Sequence, residues 1–399
     1  MKILVANVGS STLKCRLIEM PSENTLARVL VERVGETDAH VAWTNRDGAS
    51  KEQTLPVRNS SEAIDVSLRK LTEKADGALR DLAALDAVGF KPVCAKGITG
   101  CREMTDEVLA GMEEFADYIC PMHNRLVVDA VRAFRTAAPG KPLIGLFETF
   151  FFQGWPEYAR IYPIPWDWTQ KYDVRRSMGH GASHFFVNGR MAQILGKDAR
   201  EFNAVQLHLG GSSSVVAIRG GKTIDGTAGF TMNTGVPMSV RSSDMDGFLI
   251  PYLWSKGEGT PKEIVDRMMS QAGIASISGM GFDMRDLQTA AERGHERARL
   301  AIDTYVYQVR KYLGSMMLIL GHVDVITFAA GTGESSPYIR SRVLEGLQEF
   351  GIILDEEINK RTIKKEAPIS AKDSKIPVWV VPTDEEIVVA RETAALLGR

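Results

Sequence analysis

An α/β fold built from two similar halves is what this sequence predicts, and three observations carry that prediction. Val5-Ala6-Asn7-Val8-Gly9-Ser10-Ser11-Thr12-Leu13-Lys14 and, about two hundred residues later, Leu207-His208-Leu209-Gly210-Gly211-Ser212-Ser213-Ser214-Val215 follow one plan: an apolar run, a Gly/Ser turn, and a second run of alternating character. Past residue 200 the order strand, turn, strand, turn, strand recurs, which argues for duplication of a βββ-plus-α unit. Helical patterns with clear start signals follow in the second half, so the class is mixed α/β.

The elements follow in order. Leu13, Cys15 and Leu17 alternate with Thr12, Lys14 and Arg16, the period of a half-buried strand. A third strand is expected near 29–34, and a helix over about 61–75 with Ile64, Leu68 and Leu71 on one face. Strands fit 85–93 and 142–147, then 204–209, 215–219 and 222–225, the last two joined by Gly220-Gly221. Thr260-Pro261-Lys262-Glu263 is a capping-box helix start. A long helix over 287–320 is expected to break near Gly294. A strand over 323–328 then enters a Gly-rich turn, Ala329-Ala330-Gly331-Thr332-Gly333-Glu334-Ser335-Ser336, before a helix over 338–350. Thr383-Asp384-Glu385-Glu386 caps a final helix running towards Leu397.

The chain's 399 residues exceed one small core and predict two or three domains. Apolar content of 44% with 25% charged residues is that of a soluble globular enzyme. A net charge of −2 leaves no basic footprint for nucleic acid or anionic lipid. No apolar run reaches bilayer length, so no membrane role is expected. Met1-Lys2-Ile3-Leu4-Val5 is already strand-like, which predicts no signal peptide and a cytoplasmic location. Cys15, Cys94, Cys101 and Cys120 lack Cys-x-x-Cys spacing and read as inert thiols of a reducing compartment.

Glycine in the two hairpin turns removes the Cβ that would block a phosphate, letting backbone N–H groups and hydroxyls crowd around it. The pair reads as two phosphate-gripping hairpins facing one nucleotide. The Gly-rich stretch after residue 328 then becomes a seat for ribose and adenine.

These residues carry a resemblance over nearly the whole chain. Asn7-Val8-Gly9-Ser10-Ser11-Thr12-Leu13-Lys14 is similar to the N-x-G-S-S-S-L-K opening of the acetate kinase family. Pro121-Met122-His123-Asn124 resembles its P-L-H-N, and Arg175-Arg176 with His180-Gly181-Ala182-Ser183-His184 resembles R-R-x-x-F-H-G-T-S-H. Arg241-Ser242-Ser243-Asp244, Phe282-Asp283-Met284-Arg285, Ala330-Gly331-Thr332-Gly333-Glu334 and Thr383-Asp384-Glu385-Glu386 match later segments in order. The resemblance implies the two-domain sugar-kinase/Hsp70/actin-like (ASKHA) fold with a duplicated βββαβαβα core. It implies domains at 1–150 plus 384–399 and at 151–383, a homodimer, and reversible Mg-ATP-dependent phosphorylation of a small carboxylate to an acyl phosphate.

Joining two anions through a loose transition state calls for positioned cations and neutral donors rather than a strong base, because a carboxylate is already a nucleophile. By resemblance, Arg241 and His180 hold the transferring group, His123 is a further donor, and Asn7 and Glu385 organise Mg²⁺. Ser10, Ser11, Thr12 and Lys14, with His208, Gly210, Gly211, Ser212 and Ser213, take the phosphates of ATP or ADP. Asp283, Met284 and Arg285, with Gly331, Thr332, Gly333, Glu334 and Ser335, hold the nucleoside. Plainer readings stand beside these. Arg241 could pair with Asp244 or Asp246, Glu385 could serve the helix dipole, and His208 could be a core histidine. His180 and His184 at i, i+4 have the spacing of zinc ligands on a helix, but Gly179 and Gly181 argue against a helix there and no third ligand is evident.

Departures from the family pattern bear on the acceptor. Where the pattern has G-H-R-V-V this chain has Gly89-Phe90-Lys91-Pro92-Val93, and for F-D-T-A-F-H it has Phe147-Glu148-Thr149-Phe150-Phe151-Phe152. Lys91 thus replaces an arginine and Glu148 a catalytic aspartate. A shorter-reaching cation opposite a longer-reaching anion preserves a contact between positions 91 and 148, without the bidentate fork. Of the pocket positions, Val93 is retained, whereas Met122, Met232 and Asn233 are changed and Gly179 stands for a phenylalanine, which predicts freed volume. The expectation is an acceptor other than acetate. A nucleotide-binding pseudoenzyme and a phosphohydrolase on the same fold are the alternatives.

Overall fold

The computed structural model describes residues 1–44, 47–74, 77–117 and 119–398, with 121 and 122 described by backbone alone. Contacts gather the chain into two compact units, Met1–Phe150 with Asp384–Arg399, and Phe151–Thr383.

In the first unit β1 (Lys2–Val8), β2 (Thr12–Glu19), β3 (Asn24–Glu32), β4 (Ala39–Thr44) and β5 (Ser50–Leu55) form an antiparallel meander. β6 (Ala87–Phe90), β7 (Cys101–Glu103) and β8 (Leu143–Leu146) complete a sheet ordered β5-β4-β3-β2-β1-β6-β8-β7, in which β1, β6 and β8 are parallel. Alternation puts Leu13, Cys15 and Leu17 into one core with Ile64, Leu68 and Leu71 of the helix Ser60–Thr72 and Val127, Val131 and Phe134 of the helix Pro121–Ala137. The final helix, Glu385–Leu396, packs on β6 at Gly89, where a Cβ would lie 2.7 Å from Val389 Cγ1. Only glycine permits that approach. Asp384 caps this helix by accepting from Ile387 N at 3.1 Å, and Arg16 donates to the same carboxylate at 2.7 Å.

In the second unit β9 (Asn203–Leu209), β10 (Ser213–Arg219), β11 (Lys222–Gly226), β12 (Val325–Ala329), β13 (Ala367–Pro368) and β14 (Val378–Val380) form a sheet ordered β11-β10-β9-β12-β14-β13. The runs β3-β2-β1-β6-β8 and β11-β10-β9-β12-β14 repeat one order and one pattern of strand sense, which is the duplication in structural form. Val205, Leu207 and Leu209 face a core with the helix Glu296–Leu320, while Ala204 on the opposite face packs with Val187, Met191 and Phe152.

Some expectations need correction. β4, β5 and β7 of the first sheet were not among the expected strands. The strand expected over 29–34 ends at Glu32, because Arg33 takes a positive φ of 58°. The break expected near Gly294 is present, with Gly294 at φ 89° between the helices Met284–Glu292 and Glu296–Leu320, although the first of them starts before 287. The Gly-rich turn after β12 is mostly a short helix, Ala330–Ser335, and the next helix, Pro337–Leu344, stops short of 350. The helix expected to reach Ala75 ends at Thr72, and Ala75 lies outside the described residues.

Candidate active site

Parallel strands deliver whatever follows their carboxyl ends to one edge of a sheet, the usual place for ligands in open α/β folds. In the first unit Asn7 lies near the end of β1, Lys91 directly follows β6, and Glu148 comes two residues after β8. Lys91 Nζ donates to Glu148 Oε1 and to Glu385 Oε2, both at 2.5 Å, so one ammonium is held by two carboxylates. The expected contact between positions 91 and 148 is therefore made, with Glu385 as an unforeseen third member. Burial opposes the charge on Lys91, but the two carboxylates outweigh it and raise its pKa above the ordinary lysine value. Glu148 N donates to Pro92 O at 2.9 Å, pinning the two loops together.

The first Gly-Ser turn closes with Gly9 N donating to Thr12 O at 2.8 Å, and a Cβ on Gly9 would lie 2.5 Å from Thr12 Oγ1. Ser10, Ser11 and Lys14 are exposed, Thr12 half-buried. His123 is exposed in the first turn of its helix, Val93 is half-buried, and the side chain of Met122 lies outside the described residues. Cys94, next to Val93, and Cys120 are buried thiols with Sγ atoms 3.2 Å apart.

In the second unit the strand period decides the site. Gln206 and His208 of β9 point to the face opposite Val205 and Leu207, and Ser214, paired with His208 across the hairpin, joins them. Against that face lies the helix Gly181–Leu195, with His180 at its N-cap and Ser183 and His184 in its first turn. His180 Nδ1 and His184 Nε2 each lie 2.8 Å from Ser214 Oγ. His208 stacks on His180 at 3.9 Å between ring centroids, tilted by 10°, and its Nδ1 is 2.7 Å from Ser183 Oγ. The pair spaced i, i+4 is thus joined through a serine hydroxyl, and His208 is both a satisfied core histidine and a platform for His180. Arg241 donates to Ser212 Oγ, which seats its guanidinium on the second Gly-Ser turn. Gly210 N closes that turn on Ser212 O at 3.0 Å, exposed Gly211 accepts from Ser239 N at 2.9 Å, and buried Ser213 meets Tyr305 Oη at 3.1 Å.

Among the expected nucleoside residues, Asp283 caps the helix Met284–Glu292 and pairs with Arg285, which holds its carboxyl down at about 2. The Met284 side chain is buried in the core. Glu334 Oε1 accepts from Ala330 N at 2.8 Å and Thr383 N at 3.2 Å, bracing the strand end around Gly331, Thr332, Gly333 and Ser335. Asn233 turns its amide inward, with Nδ2 donating to Ser242 Oγ at 3.2 Å and Oδ1 sealed from solvent, next to half-buried Met232.

The freed volume expected at Gly179 is absent. A Cβ there would lie within 2.5 Å of Phe152 Cε2, because the fully buried Phe152 ring fills the space from another part of the chain. Phe152 was visible in the sequence as a departure from the pattern's histidine, but nothing in the sequence tied it to position 179, whereas Gln206 and Ser214 had a usable signal in the period of β9 and β10.

Hard oxygen donors suit Mg²⁺, which keeps several waters and takes few protein ligands. Asn7 and Glu385 supply a carboxamide and a carboxylate, and among the described residues no group of three His, Cys, Asp or Glu gathers into a fuller cage. That donor set fits a metal completed by water and phosphate oxygens.

Duplicated sheets, each headed by a glycine hairpin and ringed by cations and neutral donors, define the class as a phosphotransferase. The sequence model of the Acetokinase family matches residues 2–391. Acetate kinases from Dictyoglomus turgidum and Thermoanaerobacter pseudethanolicus are 38% and 39% identical over 100% of this chain and 98% and 99% of theirs. The crystal structure of Porphyromonas gingivalis acetate kinase superposes with a TM-score of 0.89 at 34% identity over 99% of each chain. A propionate kinase from Francisella tularensis gives a TM-score of 0.89 at 27% identity over 98% of each. This chain belongs to the acetokinase family, and it is an ATP-dependent, Mg²⁺-using phosphotransferase with a carboxyl group as acceptor. Among the described residues no helix is long and apolar enough to cross a membrane.

Proposed function

We propose that this protein, as a homodimer, reversibly converts a short carboxylic acid other than acetate to its acyl phosphate. The observation that carries the reading is Lys91, a point charge bound at 2.5 Å to both Glu148 and Glu385. A lysine so engaged offers an incoming carboxylate no bidentate fork. Acetate, with one methyl group to bury, depends most on that charge contact. A longer acid recovers up to about 0.8 kcal/mol for each CH₂ it buries. The preference therefore rests on the charge cluster and no longer on a void at Gly179.

In this reading the acid's carboxylate oxygen forms a bond to the terminal phosphorus of ATP as the bond to ADP breaks. Arg241, His180 and His123 are read as donors to the transferring group, and no residue needs to take a proton from the acid. Asn7 and Glu385 hold Mg²⁺, which neutralises phosphate charge when bound. The hairpin residues Ser10, Ser11, Thr12 and Lys14, and the turn Gly210 to Ser213, are each assigned to nucleotide phosphate.

The test is ADP release over a panel of linear, branched and hydroxylated short acids, with a no-acid control. Acid-dependent release with acetate below the best acid supports the reading. Release that ignores the acid means a hydrolase, binding without turnover means a pseudoenzyme, and acetate as best acceptor overturns the substrate preference.

A further inference from the structure

The buried groups behind His180 form a chain of hydrogen bonds whose direction can be worked out atom by atom. One atom of the Gln206 side-chain amide lies 3.1 Å from the His184 carbonyl oxygen and 3.1 Å from His184 Nδ1. A carbonyl oxygen only accepts, so this atom is the amide nitrogen. The other end of the amide, the oxygen, then accepts from Asn188 N at 3.2 Å, and both ends are satisfied.

The rest follows from counting protons. Because Gln206 donates to His184 Nδ1, that nitrogen carries a lone pair and the neutral ring bears its proton on Nε2. His184 Nε2–H donates to Ser214 Oγ at 2.8 Å. The single hydroxyl proton of Ser214 is then directed at its other neighbour, His180 Nδ1, also at 2.8 Å. His180 Nδ1 is thereby an acceptor, and the His180 proton resides on Nε2. Gln206, His184 and Ser214 are each no more than 1% exposed, so water does not compete for these bonds. His208, stacked on the ring and anchored by Ser183, fixes the plane of His180 by separate contacts.

We propose that Gln206, His184 and Ser214 form a directional relay that fixes His180 as the neutral Nε2–H tautomer, making them positioning residues for the donor His180 offers. The proposal rests on the reading of His180 given above as a donor to the transferring phosphoryl group. With the proton on Nδ1 instead, Nε2 would present a lone pair to an anion and repel it. The relay thus decides whether His180 attracts or opposes the group it faces.

Long-range ¹H–¹⁵N correlation spectra of histidine-labelled full-length protein read the tautomer directly, with His180 assigned by its loss in His180→Gln. The expected wild-type signature is a protonated Nε2 and a bare Nδ1 at His180. Ser214→Ala, and independently Gln206→Met, should mix the tautomers at His180 and lower kcat by about tenfold or more with KM for the acid little changed. Ser214→Thr, which keeps the hydroxyl, should restore both. A wild-type His180 protonated on Nδ1, or an unaltered His180 signature in either variant, overturns the relay; should Ser214→Ala fail to fold, the wild-type and Gln206→Met spectra decide. Wild-type turnover in His180→Gln would overturn the role of His180 itself, and is read separately from the tautomer.

Discussion

At the end of the first sheet one ammonium holds two carboxylates; at the corresponding end of the second, stacked imidazoles are linked by a serine and an amide. The strand order beneath them is the same. The first arrangement is ionic, and its members can exchange partners when another cation arrives. The second is a chain of single protons with a direction, closed from behind by aromatic packing, and it tolerates no exchange. A duplicated scaffold thus supplies equivalent positions, and local burial decides whether they become an adaptable charge cluster or a fixed donor.

The largest expected effect tests how rigid the second arrangement is. Gly179→Phe should destabilise the protein by about 3 kcal/mol or more, since its Cβ would overlap the buried Phe152 ring. Phe152→Ala in the same chain should recover much of that loss, seen as non-additive melting temperatures. A fully stable single variant would mean the second unit yields as readily as the first. Next, Arg241→Ala should lower kcat by roughly a hundredfold or more. Near-normal turnover would exclude the role given to the guanidinium on the second turn.

Lys91→Met probes the ionic end. Without the ammonium, Glu148 and Glu385 repel, and stability in metal-free buffer should fall by about 2 kcal/mol, less than for a fully buried pair because Lys91 and Glu385 keep 21% of their side-chain surface in water. Added Mg²⁺ should raise the melting temperature more in the variant than in the wild type, since no ammonium then competes for Glu385. Lys91 has a raised pKa, so its contribution is complete below the ordinary 10.5 and lost only as pH rises through the folded value. The difference between wild type and variant should accordingly stay constant from about pH 8 to pH 10, above the range in which the repelling carboxylates of the variant take up a proton. A difference that shrinks over that range would break the assignment.

The smallest effect is expected at the bond tying the last helix to the β2–β3 turn of its own unit. Arg391 donates to Glu23 at 2.6 and 2.8 Å, and both residues are partly exposed. Arg391→Ala should cost about 0.5 kcal/mol near neutral pH. The hydrogen bond from Arg391 lowers the Glu23 pKa, so the contribution is present above 4.5 and fades as pH falls through the lowered value. Wild-type and variant melting curves should therefore converge in acid.

Much of this was legible because strand period is a local signal. Leu13, Cys15 and Leu17 announce a strand by themselves, and the two Gly-Ser turns announce the duplication. The 91 and 148 contact was readable from two complementary substitutions. Glu385 as its third member was not, since only folding brings the final helix against β6. The relay was half readable: alternation aligns Gln206, His208 and Ser214, but its direction depends on the backbone carbonyl of His184, which no side-chain pattern encodes. The helix Ala330–Ser335 escaped because glycine composition suggested a turn, while Glu334 supplies the bracing that makes a helix possible.

The ring of Phe152 also has a consequence for redesign. Where the family pattern has phenylalanine at 179 and histidine at 152, this chain has glycine and phenylalanine, and the Phe152 ring fills the space beside Gly179. Restoring phenylalanine at 179 alone would put two rings in one place, and restoring the pattern's histidine at 152 alone would leave only a smaller, polar ring in that space. Positions 179 and 152 are thus sterically coupled, and a library meant to reshape this region should vary the two codons together.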